Sequence, residues 1–247
     1  MLPHIYPFGL SISMYTLLNV LGCLLGLALM LLKRRKFGID IWDMLQAIAV
    51  ALIGGAPCSK LLNAIYKLIE QGATSGTMPA IWKLSTWKEA WSAGSCFYGM
   101  LIGAFLGLLL LAKLRHLPLG KLTGLMTYFV ASGCVLGRIG CLCAGCCYGK
   151  IMPGGWQFPS QLVEASYCAL ILLFFLIARL ERRNPDAMFP LFVLLYSMGR
   201  AVLEFFRAGT TRVGVISMSQ WVAFALVIVS VLWLIKLAKK KKRGDAF

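Results

Sequence analysis

The chain has 247 residues, 60% of them hydrophobic and only 14% charged, with a formal net charge of +16. Soluble domains carry roughly 25% charged residues, so this composition excludes an ordinary water-soluble fold. The excess of Lys and Arg would suit nucleic acid, but it clusters between apolar runs with no base-stacking pattern, which excludes that partner.

The N-terminal "MLPHIYPFGLSIS" has neither the basic n-region nor the A-x-A cleavage site of a secretory signal, so the first apolar run is read as retained. Seven such runs follow one another, at about 10–32, 44–69, 97–114, 121–137, 161–180, 188–206 and 216–237. Each approaches the roughly 20 residues needed to cross a bilayer core. The expectation is an all-α polytopic membrane protein of about seven transmembrane helices, forming a single integral membrane domain over 1–247.

Basic groups at 33–36, at Lys113, Arg115 and Lys121, at Arg179, Arg182 and Arg183, and at 239–243 follow runs one, three, five and seven. Cytoplasmic loops carry such excess charge, which predicts the N-terminus outside and the C-terminus in the cytoplasm. The same groups attract anionic membrane lipids. The loop over 70–96 interleaves Trp82, Trp87 and Trp91 with Lys83, Lys88 and Glu89, a pattern suited to a helix lying in the headgroup layer.

Charged groups inside spans are costly, and so mark function or structural pairing. In run six, "LLYSMGRAVLEFFR" places Tyr196, Arg200 and Glu204 at i, i+4 and i+8, on one helical face, with Arg207 a turn later. Run five opens on "FPSQLVEAS", which gives Ser160, and Gln161 with Glu164 at i, i+3, and Arg138 closes run four. Tyr15 in run one and Tyr98 at the head of run three complete a polar set at the outer halves of the spans. Guanidinium groups bind phosphate in a bidentate fork, so this set suits an anionic lipid headgroup. The competing structural reading pairs Arg200 with Glu204 and nothing more.

The stretch "GRIGCLCAGCCYGK" (137–150) carries Cys141, Cys143, Cys146 and Cys147. Its spacing lacks the two separated knuckles of a structural zinc site, and the chain's two histidines, His4 and His116, are distant in sequence, so no metal is assigned. Cys143 and Cys146 form a C-x-x-C, the motif of thiol–disulfide exchange. Cysteine as a small buried residue in a Gly-rich turn is the plainest alternative.

Together these motifs resemble the prolipoprotein diacylglyceryl transferases, over nearly the whole chain. "GRIGCLCAGCCYG" (137–149) is similar to that family's G-R-I-G-N-x-x-N-G-E-x-x-G signature, Pro159 to Glu164 to its "PSQLYE" element, and Tyr196, Arg200, Glu204, Phe205 and Arg207 to its Y-x-x-x-R-x-x-x-E-F-x-R element. Tyr15 matches an early family tyrosine. The resemblance implies a seven-span bacterial inner (plasma) membrane enzyme of lipoprotein biosynthesis. Such an enzyme moves diacylglyceryl from phosphatidylglycerol to the lipobox cysteine of a prolipoprotein, or to another thiol acceptor, without a cofactor. It places Arg138, Tyr98, Arg200 and Glu204 in the catalytic set, and Tyr15, Gly149, Gln161, Glu164, Tyr196 and Arg207 around the substrate. The departures are specific: Tyr98 stands at the family's histidine, Cys141 at its asparagine, Cys146 at its glutamate, and Phe158 at the histidine before "PSQ". Two other functions stay open on the sequence: a lipid-binding paralogue without turnover, and a membrane thiol–disulfide oxidoreductase using the 141–147 cysteines.

Overall fold

A computed structural model describes residues 4–5, 12–75, 88, 91, 96–208, 212–213 and 216–242. Eight α-helices are found among them: α1 (Met14–Phe37), α2 (Ile41–Ser75), α3 (Phe97–Leu114), α4 (Leu119–Ala144), α5 (Ser160–Ala178), the short α6 (Leu180–Arg183), α7 (Met188–Leu203) and α8 (Met218–Lys242). Two-residue strands pair antiparallel as β1 (His4–Ile5) with β2 (Ile12–Ser13), and β3 (Arg212–Val213) with β4 (Ile216–Ser217). Among the described residues, seven helical segments are long and apolar enough to span a membrane, as the runs predict. A lipid core offers backbone groups no water, so a helix that satisfies its own N–H and C=O groups is the form such runs take. Large apolar side chains that point outward, such as Leu32, Ile53 and Ile177 at 69–75% exposure, are the surface such a solvent requires.

Two spans outrun their predicted ends. The α4 helix continues past residue 137 to Ala144, because Arg138 and Cys141 on its last turns are sheltered by protein and need no lipid-compatible side chains. The α2 helix extends to Ser75 and accommodates Pro57. Of the tryptophan-rich loop, Lys88 and Trp91 are described, and the remainder lies outside the described residues; Lys60 donates to the Trp91 carbonyl at 3.5 Å.

The chain divides into two compact units. The first comprises Met1–Ile39, Thr123–Thr210 and Ser219–Phe247, and holds α1, most of α4, and α5 to α8. Here α1 crosses α4 through Gly22 and Gly26, a G-x-x-x-G pair. A Cβ on Gly26 would stand 2.8 Å from the Phe129 Cα, and one on Gly22 would stand 3.2 Å from the Gly133 Cα. Small residues at that spacing let two membrane helices pack backbone to backbone. The α1 helix stops at Gly38, whose φ of 66° is left-handed and whose N–H returns to the carbonyls of Arg34 and Arg35. Just before that stop, Lys33 pairs with Glu181 of α6 at 2.8 Å, while the Tyr128 hydroxyl donates to the same carboxylate at 3.2 Å.

The second unit comprises Asp40–Leu122 and Thr211–Met218. Its α2 and α3 pack along Gly54, Gly55, Gly99, Gly103 and Gly107, with Gly103 against the Gly54 backbone. Ser59 and Cys96 are joined twice: the Ser59 hydroxyl donates to the Cys96 carbonyl at 2.9 Å, and the Cys96 N–H donates to the Ser59 carbonyl at 3.2 Å.

Candidate active site

The end of α4 is a Schellman turn. Gly145, at φ 69°, sends its N–H to the Leu142 carbonyl, and the Cys146 N–H returns to the Cys141 carbonyl at 3.1 Å. This fold-back sets Cys146 over Cys141. Cys147 follows with φ 62°, a left-handed conformation that costs a non-glycine residue about 1–2 kcal/mol. Two side chains of α5 fix the turn from the other side: Gln161 Nε2 donates to the Cys146 carbonyl and Ser160 Oγ donates to the Cys147 carbonyl, each at 2.7 Å. The result is three sulfurs, of Cys141, Cys146 and Cys147, all within 4.8 Å of one another. Cys143 is outside that group.

Four side chains, those of Cys141, Arg207, Arg138 and Cys146, act on the Cys147 sulfur. The Cys147 thiol is drawn down to about 5, first because Cys141 donates a hydrogen bond to it, with Arg207 and Arg138 adding positive charge against the cost of burial. Burial, reinforced by the charge on Cys147, pushes the Cys146 thiol the opposite way.

One turn back along α4, Arg138 Nη2 contacts Glu164 Oε1 of α5 at 2.8 Å. The other oxygen of that carboxylate, Oε2, accepts from Arg200 Nη1 of α7 at 3.0 Å. Arg200 Nη2 in turn meets Glu204 Oε2 at 3.0 Å, the i, i+4 pair expected from the sequence. The Tyr196 hydroxyl donates to Glu164 Oε1 at 3.3 Å. Glu164, Tyr196, Arg200 and Glu204 are each less than 8% exposed. Buried charges survive only when paired and hydrogen-bonded, and this chain of contacts supplies both.

A β-like seam joins the turn to the end of α7. Gly149 bridges to Arg207, the Lys150 N–H donates to the Phe206 carbonyl at 2.8 Å, and the Ala208 N–H donates to the Tyr148 carbonyl at 3.1 Å. Gly149 lies so close to the Phe158 backbone that a side chain would collide with it. Phe158 stacks on Phe206 with ring centroids 4.9 Å apart. Arg207 is thereby held beside the cysteine turn, whereas Arg200 faces Glu164. Three guanidiniums here face two carboxylates and the Cys147 thiol.

Most of the residues singled out in the sequence converge. Arg138, Glu164, Tyr196, Arg200 and Glu204 form one network, with Gln161, Gly149 and Arg207 framing the cysteine turn. Tyr15, 44% exposed on α1, packs its ring and backbone against Gly140 of α4. Tyr98 lies at the head of α3 in the second unit, 5% exposed and beside Phe97. Ser160 and Phe158 were both marked in the sequence, and the structure adds their contacts with the cysteine turn and with Phe206. The Ser160 role was signalled by its position directly ahead of Gln161. Phe158 was marked by standing at the family's histidine, but its stacking on Phe206 leaves no mark in a local pattern.

Comparison with known proteins bears on this arrangement. A family model described as prolipoprotein diacylglyceryl transferase matches residues 3–236, which contain every residue of the network and the turn. The chain belongs to the prolipoprotein diacylglyceryl transferase family. It is similar to a protein of Clostridium tetani named phosphatidylglycerol–prolipoprotein diacylglyceryl transferase, at 27% identity over 91% of this chain and 92% of that protein. A protein of the same name from Dehalococcoides mccartyi is 26% identical over 98% of this chain and 96% of its own length. A Clostridium perfringens protein, the second of that name in its organism, is 26% identical over 96% of both. Membership fits the seven spans and makes this a multi-pass membrane protein of a transferase family.

Proposed function

We propose that this protein transfers the diacylglyceryl group of phosphatidylglycerol to a cysteine thiol, that of a prolipoprotein lipobox, in the bacterial inner membrane. Its N-terminus would be outside and its C-terminus in the cytoplasm. The observation that carries the reading is the Glu164 carboxylate, which holds Arg138 of α4 and Arg200 of α7 on its two oxygens inside the membrane-spanning region. Each arginine has five N–H donors, and the contacts to Glu164, with that of Arg200 to Glu204, leave donors on both for a phosphate. Relatives with the same family name over nearly their full lengths support the same donor and acceptor.

The reaction joins the acceptor sulfur to the glyceryl carbon and breaks the bond from that carbon to the phosphate oxygen. Negative charge builds on the departing phosphate, where preorganised guanidiniums do most good. Arg138 and Arg200 fill this role, since their mutual anchor on Glu164 fixes them before the lipid arrives. Glu164 has both oxygens committed to cations, so it positions the arginines and does not serve as the base. Glu204 does the same for the second nitrogen of Arg200. The test is release of glycerol phosphate from phosphatidylglycerol by the reconstituted protein, with and without a lipobox peptide. Release that needs both the peptide and Arg138 supports the reading. Bound lipid without release would support the non-catalytic lipid-binding alternative.

A further inference from the structure

The network leaves one feature unused. Arginines and paired carboxylates can receive a phosphate, but an acceptor thiol must also lose its proton, and a free cysteine has a pKa of about 8.5. The chain has only two histidines, and neither belongs to the group of three converging sulfurs.

We infer that Cys141, Cys146 and Cys147 form a trithiolate site for a divalent ion of the zinc class, whose fourth position takes the acceptor thiol. The ion site stands on geometry alone, while the role of its fourth position rests on the transferase reading. A tetrahedral zinc with bonds of about 2.3 Å sets its sulfurs about 3.8 Å apart. The three sulfurs here lie within 4.8 Å of one another, so each pair needs to close by about 1 Å at most. A disulfide requires a separation of about 2.05 Å, a far larger movement, and would strand the third thiol.

The turn is built to hold this shape. The Schellman bond fixes Cys146 on Cys141, and the Gln161 and Ser160 hydrogen bonds clamp the carbonyls of Cys146 and Cys147. Cys147 is held in a left-handed conformation that an L-residue keeps only when its surroundings impose it. Thiolates are soft donors that select zinc-like ions over calcium or magnesium. Three thiolates and one divalent ion carry one net negative charge, which the neighbouring Arg207 and Arg138 offset.

Structural zinc sites close with four protein ligands, and catalytic ones keep one position open. Among the described residues no fourth cysteine, histidine, aspartate or glutamate joins this group, and Cys146 is exposed, so an outside ligand can reach it. A thiol bound there gives its proton to solvent and remains a thiolate on the ion. Its sulfur then bonds to the glyceryl carbon, the carbon–oxygen bond breaks, and the electron pair leaves on glycerol phosphate. The thioether so formed is neutral and dissociates. No electron leaves or enters the protein.

The test uses the full chain in lipid nanodiscs, stripped with a chelator and titrated with cadmium or zinc. One ion should bind per chain, with sulfur-to-cadmium charge-transfer absorption. Cys141→Ala and Cys147→Ala should each weaken binding at least 100-fold, while Cys23→Ser, a change on α1, leaves it unchanged. Because the two alanine variants can misfold, zinc protection of the wild-type Cys146 from maleimide provides a second reading. A cysteine peptide added to the cadmium form should raise the charge-transfer band by about one third, four sulfurs replacing three. No ion bound and no protection of Cys146 would overturn the site, and a band unmoved by the peptide would overturn the role of its fourth position. These signals need no turnover, so a protein that gives both yet transfers no lipid keeps the site and loses the transferase reading.

Discussion

Glu164 Oε1 lies 2.8 Å from Arg138 Nη2, and this contact ties α5 to the last turns of α4 at a place where neither charge meets much water. The opposite oxygen holds Arg200, so one carboxylate sets the spacing of two guanidiniums. Glu164→Gln keeps the side-chain shape and removes the charge. We expect kcat to fall about 100-fold, as when one preorganised transition-state contact is lost. Glu164→Ala takes the carboxylate from Arg138 and leaves Arg200 with Glu204, and should cost about 3–5 kcal/mol of stability, read as a lowered Tm in the same detergent.

Arg207 adds positive charge at the cysteine turn, next to the pairs that Arg138 and Arg200 make with Glu164 and Glu204. Arg207→Gln should therefore raise KM for phosphatidylglycerol about tenfold, equivalent to about 1.4 kcal/mol, with a smaller effect on kcat. The loss should be far less for a lipid with an uncharged headgroup, measured as binding to nanodiscs of each composition.

Gly26 has no room for a side chain, since its Cβ would meet the Phe129 Cα at 2.8 Å. Gly26→Leu should force α1 away from α4 and lower both yield and Tm. Gly133→Ala should be tolerated on the same crossing, because a Cβ there meets nothing within 4 Å. Comparing the two variants by size-exclusion profile and melting separates a packing constraint from simple helix propensity.

Glu181 faces Lys33 and Lys36 of α1 and Tyr128 of α4. Burial alone would raise its pKa, but the Lys33 hydrogen bond and charge outweigh that and hold it below its ordinary value of 4.5. A carboxyl with a depressed folded pKa stabilises the protein above its unfolded value, and that stability drains as pH falls through the folded value. Wild-type Tm should accordingly drop as pH is lowered below about 4.5, with a shallower slope for Glu181→Gln.

Much of this was legible in the sequence, for identifiable reasons. The spans follow from hydrophobic length, which the bilayer imposes on each segment separately. Tyr196, Arg200 and Glu204 share a face because helical periodicity is local, and their i, i+4 pairing was found where expected. The bridging role of Glu164 was not legible, since it depends on three helices meeting. The cysteine turn shows both sides. Gly145 marks a helix stop, but spacing alone favoured Cys143 with Cys146, the C-x-x-C pair. The fold-back at Gly145 and the left-handed Cys147 bring together 141, 146 and 147 instead, and no spacing rule for helices or knuckles encodes that geometry. The end of α4 went unread because protein shelter lets a helix continue past its apolar stretch.

The most direct measurement is the mass of a lipobox peptide after incubation with the purified protein and phosphatidylglycerol of defined acyl chains. A gain equal to the diacylglyceryl group on the cysteine, absent with Arg138→Ala and absent from a Cys→Ser peptide, is the predicted result. An unmodified peptide, from protein shown to be folded and to hold the lipid, would contradict transfer to a thiol.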